Sequence, residues 1–169
     1  MNIGYVCSSE EHLTDTVLAD VSRSAAREGL ALAGTIQIVD PARIAEKCDI
    51  TLGLLPDGEQ RSISVDLGPG VTGCRLDPAA LEDAVMVVHQ RLSSAHALVV
   101  NKFGKQEAAG RGLVSAIGEA CERGLPVLVG VSPEWRDAFL EFTEGQAKPL
   151  PTDAEAIHQW LKSCCAERA

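Results

Sequence analysis

Residues 97–131 read ALVVNKFGKQEAAGRGLVSAIGEACERGLPVLVGV. Ala97–Val100 is wholly apolar, Gln106–Arg123 carries apolar residues at helical spacing and stops at Gly124, and Pro126–Val131 is again wholly apolar. Strands that are apolar at every position have both faces covered, and a helix between two of them makes a right-handed parallel crossover. The pattern predicts a three-layer α/β domain: a mostly parallel sheet with helices on both faces. The same alternation runs back to the start. Asn2–Cys7 reads as a strand, Ser8–Glu11 as a polar loop, and Leu13, Val17, Val21 and Ala25 as one face of a helix ended by Gly29. Leu30–Val39 and Cys48–Leu55 read as strands. The turn signal Pro56-Asp57-Gly58-Glu59 leads into Arg61–Val65, so the middle of the chain is expected to carry a β-hairpin insertion. Asp77-Pro78 has the form of an N-cap followed by a first-turn proline and opens a helix to about Leu92. Ser132-Pro133-Glu134 starts a short helix through Phe139, and Asp153 caps a last one.

The chain has 169 residues, 46% of them hydrophobic and 23% charged, which predicts one globular domain spanning residues 1–169. Lys plus Arg is 15 against 24 Asp plus Glu, a formal charge of -9 with no basic run, so neither nucleic acid nor an anionic membrane is an expected partner. No apolar stretch approaches the ~18 residues of a membrane span. Met1–Glu10 lacks the basic start and apolar run of a signal peptide, which makes a cytoplasmic location the expectation. In that compartment Cys7, Cys48, Cys74, Cys121, Cys164 and Cys165 are expected to be free thiols, and no CxxC pair occurs. A homodimer is the generic expectation for self-association.

In open parallel sheets, ligands collect at the carboxyl ends of strands beside helix N-termini. Three such places stand out. The loop Ser8–Asp15 follows the first strand but has neither the glycines nor the lysine of GxxxxGK[ST], and Glu10, Glu11 and Asp15 would repel a triphosphate. Its bland reading is a connecting loop with Ser8 or Thr14 capping the helix. The glycine-rich loop Leu67–Asp77 brings together Thr72, Gly73, Cys74 and Arg75 ahead of a helix: hydroxyl, flexible backbone, thiol and guanidinium that could grip an anion. In Asn101–Gly112 a strand empties into Asn101, Lys102, Lys105 and Arg111, an unusual local positive charge in so acidic a chain. Its bland reading pairs these cations with Glu107 or Glu119 on an exposed surface. His12, His89, His96 and His158 show no metal-ligand spacing, and His89 is expected on a solvated helix face.

Gly73–Pro78, Asn101–Gly112 and Gly124–Leu128 resemble an uncharacterised bacterial family of P-loop-like proteins related to the thermophile-type nucleoside triphosphatases, some of whose members are labelled as associated with molybdenum transport. The resemblance covers nearly the whole chain and implies a P-loop-NTPase-like fold with a degenerate phosphate loop. It also implies two departures: Ser8–Asp15 replaces the phosphate loop, and Asn101 and Lys102 stand where the triphosphatases carry the magnesium-supporting aspartate and its acidic neighbour. A neutral and a positive residue there remove the charge that holds a cation and activates water, so no efficient hydrolysis and no catalytic residue is expected.

The expected function is a non-hydrolysing binding protein for a small oxyanion, molybdate or tungstate by the family's label, or for a phosphate-bearing ligand. The expected contacts are Ser8, Ser9, Thr72, Gly73, Cys74, Arg75, Asn101, Lys102, Lys105 and Arg111. Two alternatives stand beside it: a weak nucleoside triphosphatase or nucleotide-binding protein, and a metal-handling or interaction module using Cys48, Cys74 and Cys164-Cys165.

Overall fold

Strand-forming runs and amphipathic runs alternate along the chain, and each takes the form its pattern dictates. The computed structural model describes residues 1–40, 50–65 and 76–168. The strands are β1 (Ile3–Cys7), β2 (Leu32–Ile38), β3 (Thr51–Leu55), β4 (Glu59–Ser62), β5 (Ala97–Phe103), β6 (Val127–Val131) and β7 (Lys148–Pro149). The helices are α1 (Leu13–Arg27), α2 (Pro78–Leu92), α3 (Lys105–Ala108), α4 (Val114–Glu122), α5 (Arg136–Phe142) and α6 (Ala154–Ala166). The sheet order is β4-β3-β2-β5-β6-β1-β7. From β2 to β7 every pairing is parallel, while β2, β3 and β4 form an antiparallel meander at the other edge.

The apolar strands are buried on both faces because alternate side chains enter different cores. Leu98, Val100, Val127 and Val129 pack with α2 and α4, and Phe103 and Tyr5 close edge-on around Phe139 of α5, at ring distances of 5.2 and 5.3 Å. Ala97, Val99 and Leu128 face α1 and α6 through Val17, Leu18, Val21, Ile157 and Leu161. This is the three-layer arrangement that the sequence predicts. The hairpin is also present, with its turn fixed from outside: Arg91 at the end of α2 donates to Leu55 O and to both oxygens of Asp57, each at 3.0 Å.

Three elements differ from expectation. The helix anticipated over Gln106–Arg123 is two helices, because Gly110 and Gly112 take φ of 78° and 62° and interrupt the ladder. The strand anticipated at Arg61–Val65 lies earlier, at Glu59–Ser62, pairing directly across the turn. The two-residue strand β7, lying within Pro- and Gly-containing sequence, is an edge addition to β1 that lacks the length of a readable strand.

Gly34 sits within β2, opposite both Leu55 and Val99, with φ of 122°. A Cβ there would strike the Val99 carbonyl oxygen. Gly34→Ala is expected to cost roughly 3 kcal/mol or more in a urea denaturation; a change below about 1 kcal/mol would show that β2 and β5 approach less closely.

Candidate functional site

The carboxyl ends of β1, β2, β5 and β6 open into one cleft of ≈ 400 Å³. Ser8, Ser9, Glu10, Glu11, His12, Thr14 and Asp15 form one wall. Gln37, Asn101, Lys102 and the segment Gly130–Pro133 form the rest. Gly130 permits this convergence, since a Cβ there would collide with Asn101 O and crowd Thr14 and Leu18 at 3.0 Å.

Asn101 is the deepest polar group, 8% exposed. Its partner is Thr35 of β2, fully buried: Thr35 Oγ1 donates to Asn101 Oδ1 at 2.7 Å, and the Asn101 backbone N–H returns to Thr35 Oγ1 at 3.4 Å. The hydroxyl has one proton and gives it to Oδ1, which fixes the orientation of the amide. The carboxamide nitrogen is left without a partner among the described residues and belongs to a residue lining the cleft. Lys102, next in β5, is exposed, and its charge reaches Asp15 across the cleft and Glu107 behind it.

The loop after β1 runs into α1 at His12, which takes a left-handed conformation (φ 59°, ψ 0°) and offers no side-chain cap. Ser8 Oγ instead accepts from the Glu10 N–H at 3.1 Å. The expected capping of α1 by Ser8 or Thr14 is therefore absent, and the first turn of α1 keeps donors unsatisfied by side chains. The His12 ring lies between two carboxylates, with Nε2 3.5 Å from Glu11 Oε1 and Nδ1 3.5 Å from Asp15 Oδ2. Burial pushes the Asp15 carboxyl up, opposed by the hydrogen bond and charge of His12 and by the charge of Lys102.

Behind the cleft, Glu107 is buried and accepts from the N–H groups of Gly104 (3.1 Å) and Leu113 (3.2 Å), one on each oxygen. Burial raises its pKa, while those N–H bonds and Lys102 oppose the rise. A Cβ at Gly112 would strike Glu107 Oε1, which explains the glycine. Glu107 thus holds the corner from β5 to α4 in shape.

Of the expected contacts, Ser8, Ser9, Asn101 and Lys102 meet in the cleft. Lys105 and Arg111 do not line it: α3 carries Lys105 away, and Arg111 Nε donates to Gln106 Oε1 at 3.0 Å. The surface pairing of these cations with Glu107 or Glu119 also fails, because Glu107 serves backbone and Glu119 serves His89 and Arg123. His89 is half-buried, its ring bridging Glu119 (2.5 Å) and Ser115 (2.9 Å), where a solvated face was expected. Thr72, Gly73, Cys74, Arg75 and Cys48 lie outside the described residues. Cys7, Cys121, Cys164 and Cys165 are free thiols whose pKa values burial raises, and no group of metal-ligating side chains forms among the described residues. Thr35, Gln37 and His12 are the contributors that sequence reading misses. Thr35 and Gln37 look like ordinary strand positions, and only pairing of β2 beside β5 brings Thr35 to Asn101.

Residues 3–160, from the first residue of β1 into α6, match the family described as "Protein of unknown function (DUF2478)". The chain belongs to that family. A curated protein, "Molybdenum import ATP-binding protein ModC 2" of Bradyrhizobium diazoefficiens (strain JCM 10833 / BCRC 13528 / IAM 13628 / NBRC 14792 / USDA 110), is 34% identical over 153 residues. That alignment takes in 88% of this DUF2478 chain but only 17% of the relative's length. The solved structure of a human cancer-related nucleoside triphosphatase superposes with a TM-score of 0.62 at 15% identity, covering 99% of this chain and 97% of that one. The fold of this family member is therefore that of a P-loop nucleoside triphosphatase. No helix among the described residues is long and apolar enough to cross a membrane.

Two variants probe the buried carboxylates. Glu107→Gln turns an amide N–H2 toward a backbone N–H, so a loss of about 1–3 kcal/mol is expected in chemical denaturation; an unchanged midpoint would mean that Glu107 does not hold the corner. Because the Asp15 pKa is raised in the folded state, its contribution to stability is present below the ordinary carboxylate range and lost as pH rises through the raised value. Asp15→Asn is accordingly expected to melt above wild type at pH 7, with the gap closing toward about pH 4; a gap of equal size at both pH values would contradict the raised pKa.

Proposed function

We propose that this chain is a binding domain that holds a small oxyanion, or a ligand bearing one, at the carboxyl end of its sheet and does not hydrolyse nucleotides. The observation that carries the reading is the Thr35–Asn101 pair. It fixes an uncharged amide so that its acceptor is consumed and its N–H2 donor remains free at the deepest polar point of the cleft. An oxyanion needs donors, whereas a magnesium ion needs carboxylate oxygens. Lys102 adds an ammonium beside that donor, and the Ser8 and Ser9 hydroxyls and the open first turn of α1 supply the opposite wall. Arg75, Thr72, Gly73 and Cys74 of the glycine-rich loop remain part of the proposal as further contacts.

The phosphate-loop pattern GxxxxGK[ST] laid from Cys7 places His12 at its second glycine, Leu13 at its lysine and Thr14 at its hydroxyl. This supports a phosphate loop that keeps its length and has lost its lysine. Molybdate or tungstate is the favoured ligand because a relative is named for molybdenum import. A cytoplasmic setting, with no nucleic-acid or membrane partner, goes with this reading.

The competing reading, a nucleoside triphosphatase, draws on the shared fold. A thermal-shift series with molybdate, tungstate, phosphate, sulfate, Mg-ATP and Mg-GTP at matched ionic strength separates the two. Binding at a hundredfold excess over Kd adds about 2.7 kcal/mol of stability, several degrees for a domain of this size. The expected result is a shift with an oxyanion that Lys102→Ala or Asn101→Asp abolishes. A shift with Mg-nucleotide alone, with phosphate release lost in Lys102→Ala, would overturn the proposal in favour of the hydrolase.

A further inference from the structure

The cleft sets a charge problem for any anion. Among the described residues, Glu10, Glu11 and Asp15 line it against the ammonium of Lys102, while the side chains from the other elements, Gln37 of β2, Asn101 of β5, and Val131, Ser132 and Pro133 at the end of β6, are uncharged. The Asn101 amide nitrogen, without a partner among the described residues on a side chain that lines the cleft, marks where a ligand oxygen would be met, yet the carboxylates oppose its arrival. Among the described residues, the remaining titratable side chain lining this cleft is His12, 35% exposed and placed between Glu11 and Asp15. An imidazolium in that place donates from both nitrogens, one toward each carboxylate, whereas a neutral ring must leave one nitrogen as an acceptor facing a carboxylate oxygen.

We infer that His12 is a ligand-site residue that binds a proton together with the oxyanion, so that the cleft takes up one proton for each anion it holds. The inference rests on the oxyanion reading above and adds its proton stoichiometry. With His12 charged, one more of the carboxylate charges is offset and the anion meets Lys102, the Asn101 amide and the positive field of the imidazolium. With His12 neutral, the same cleft repels it. Histidine is the side chain class that can exchange a proton near neutral pH, which sets the pH range to examine. Linkage then fixes the sign: affinity rises as pH falls, by up to tenfold per pH unit where a whole proton is taken up with each anion. The left-handed backbone of His12 is a conformation that glycine would adopt without strain.

The test is isothermal titration of the full chain with molybdate, and with sulfate as an oxyanion of fixed charge, between about pH 6 and 8.5. Buffers of different ionisation enthalpy report the protons taken up directly. Wild type is expected to weaken toward tenfold per pH unit at the upper end and to take up close to one proton per anion. His12→Gln should bind weakly with a flat profile, and His12→Lys, which keeps a fixed charge, should bind with a flat profile at or above the wild-type level at high pH. A flat wild-type profile without proton uptake, or a slope that survives in His12→Gln, overturns the inference even where Lys102→Ala shows that the cleft binds anions. Absence of anion binding at every pH, or binding that Lys102→Ala leaves unchanged, removes the oxyanion reading itself. The buffer measurement on wild type decides the matter should the His12 variants fail to fold.

Discussion

Thr35 and Asn101 lie 66 residues apart in sequence and share two hydrogen bonds across the boundary between β2 and β5. β2 is the strand at which the sheet changes from parallel to antiparallel, and β5 runs between it and β6. A buried polar pair that is unsatisfied in any other register is costly, so the pair fixes how β2 and β5 align. Gly34, beside Thr35, allows the two backbones to meet closely. The position of the β5 end, and therefore of Lys102 and the corner held by Glu107, follows from this alignment.

The same constraint sets the chemistry of the cleft. A side-chain amide whose oxygen is occupied is a donor only, and a donor at the floor of a site selects for ligand oxygens. Around it the wall formed by the β1–α1 loop is acidic, which puts the floor and the wall in electrostatic conflict. His12 stands where the two meet, within reach of both Glu11 and Asp15. This conflict is the ground for the proposed coupling of proton uptake to anion binding.

The chain belongs to DUF2478, and its superposition on a nucleoside triphosphatase shows the architecture. On the proposed oxyanion reading, this chain departs from a triphosphatase in the loop after β1, which lacks the lysine of GxxxxGK[ST], and at the end of β5, which carries Asn101 and Lys102. Gly130 and Gly34 allow close backbone approach, Gly130 between β6 and β5 beside the cleft and Gly34 between β2 and β5. In this fold the frame and the reactive groups are separable, which is why likeness of fold leaves the ligand to be argued from the cleft.

The fold was legible where patterning is strong. Apolar runs such as Leu98–Val100 and Val127–Val131 specify doubly covered strands, and Asp77-Pro78 specifies a helix start, because burial period and capping are local properties. The break between α3 and α4 was not: Gly110 and Gly112 permit it by taking positive φ, but the contact that holds it, the Glu107 carboxylate accepting from the Leu113 N–H, exists only in the folded corner. Ser8, Ser9, Asn101 and Lys102 were readable as site residues from their place at strand ends. Lys105 and Arg111, equally basic and only a few residues on, were carried out of the cleft by the turn of α3. Sequence fixed which strands are buried and where the chain empties into polar loops, because these follow from side-chain hydrophobicity and period. Tertiary structure alone chose which polar residues face one another, because Thr35 reaches Asn101 only through strand order, and His12 reaches Asp15 within one cleft only through the backbone turn at the head of α1.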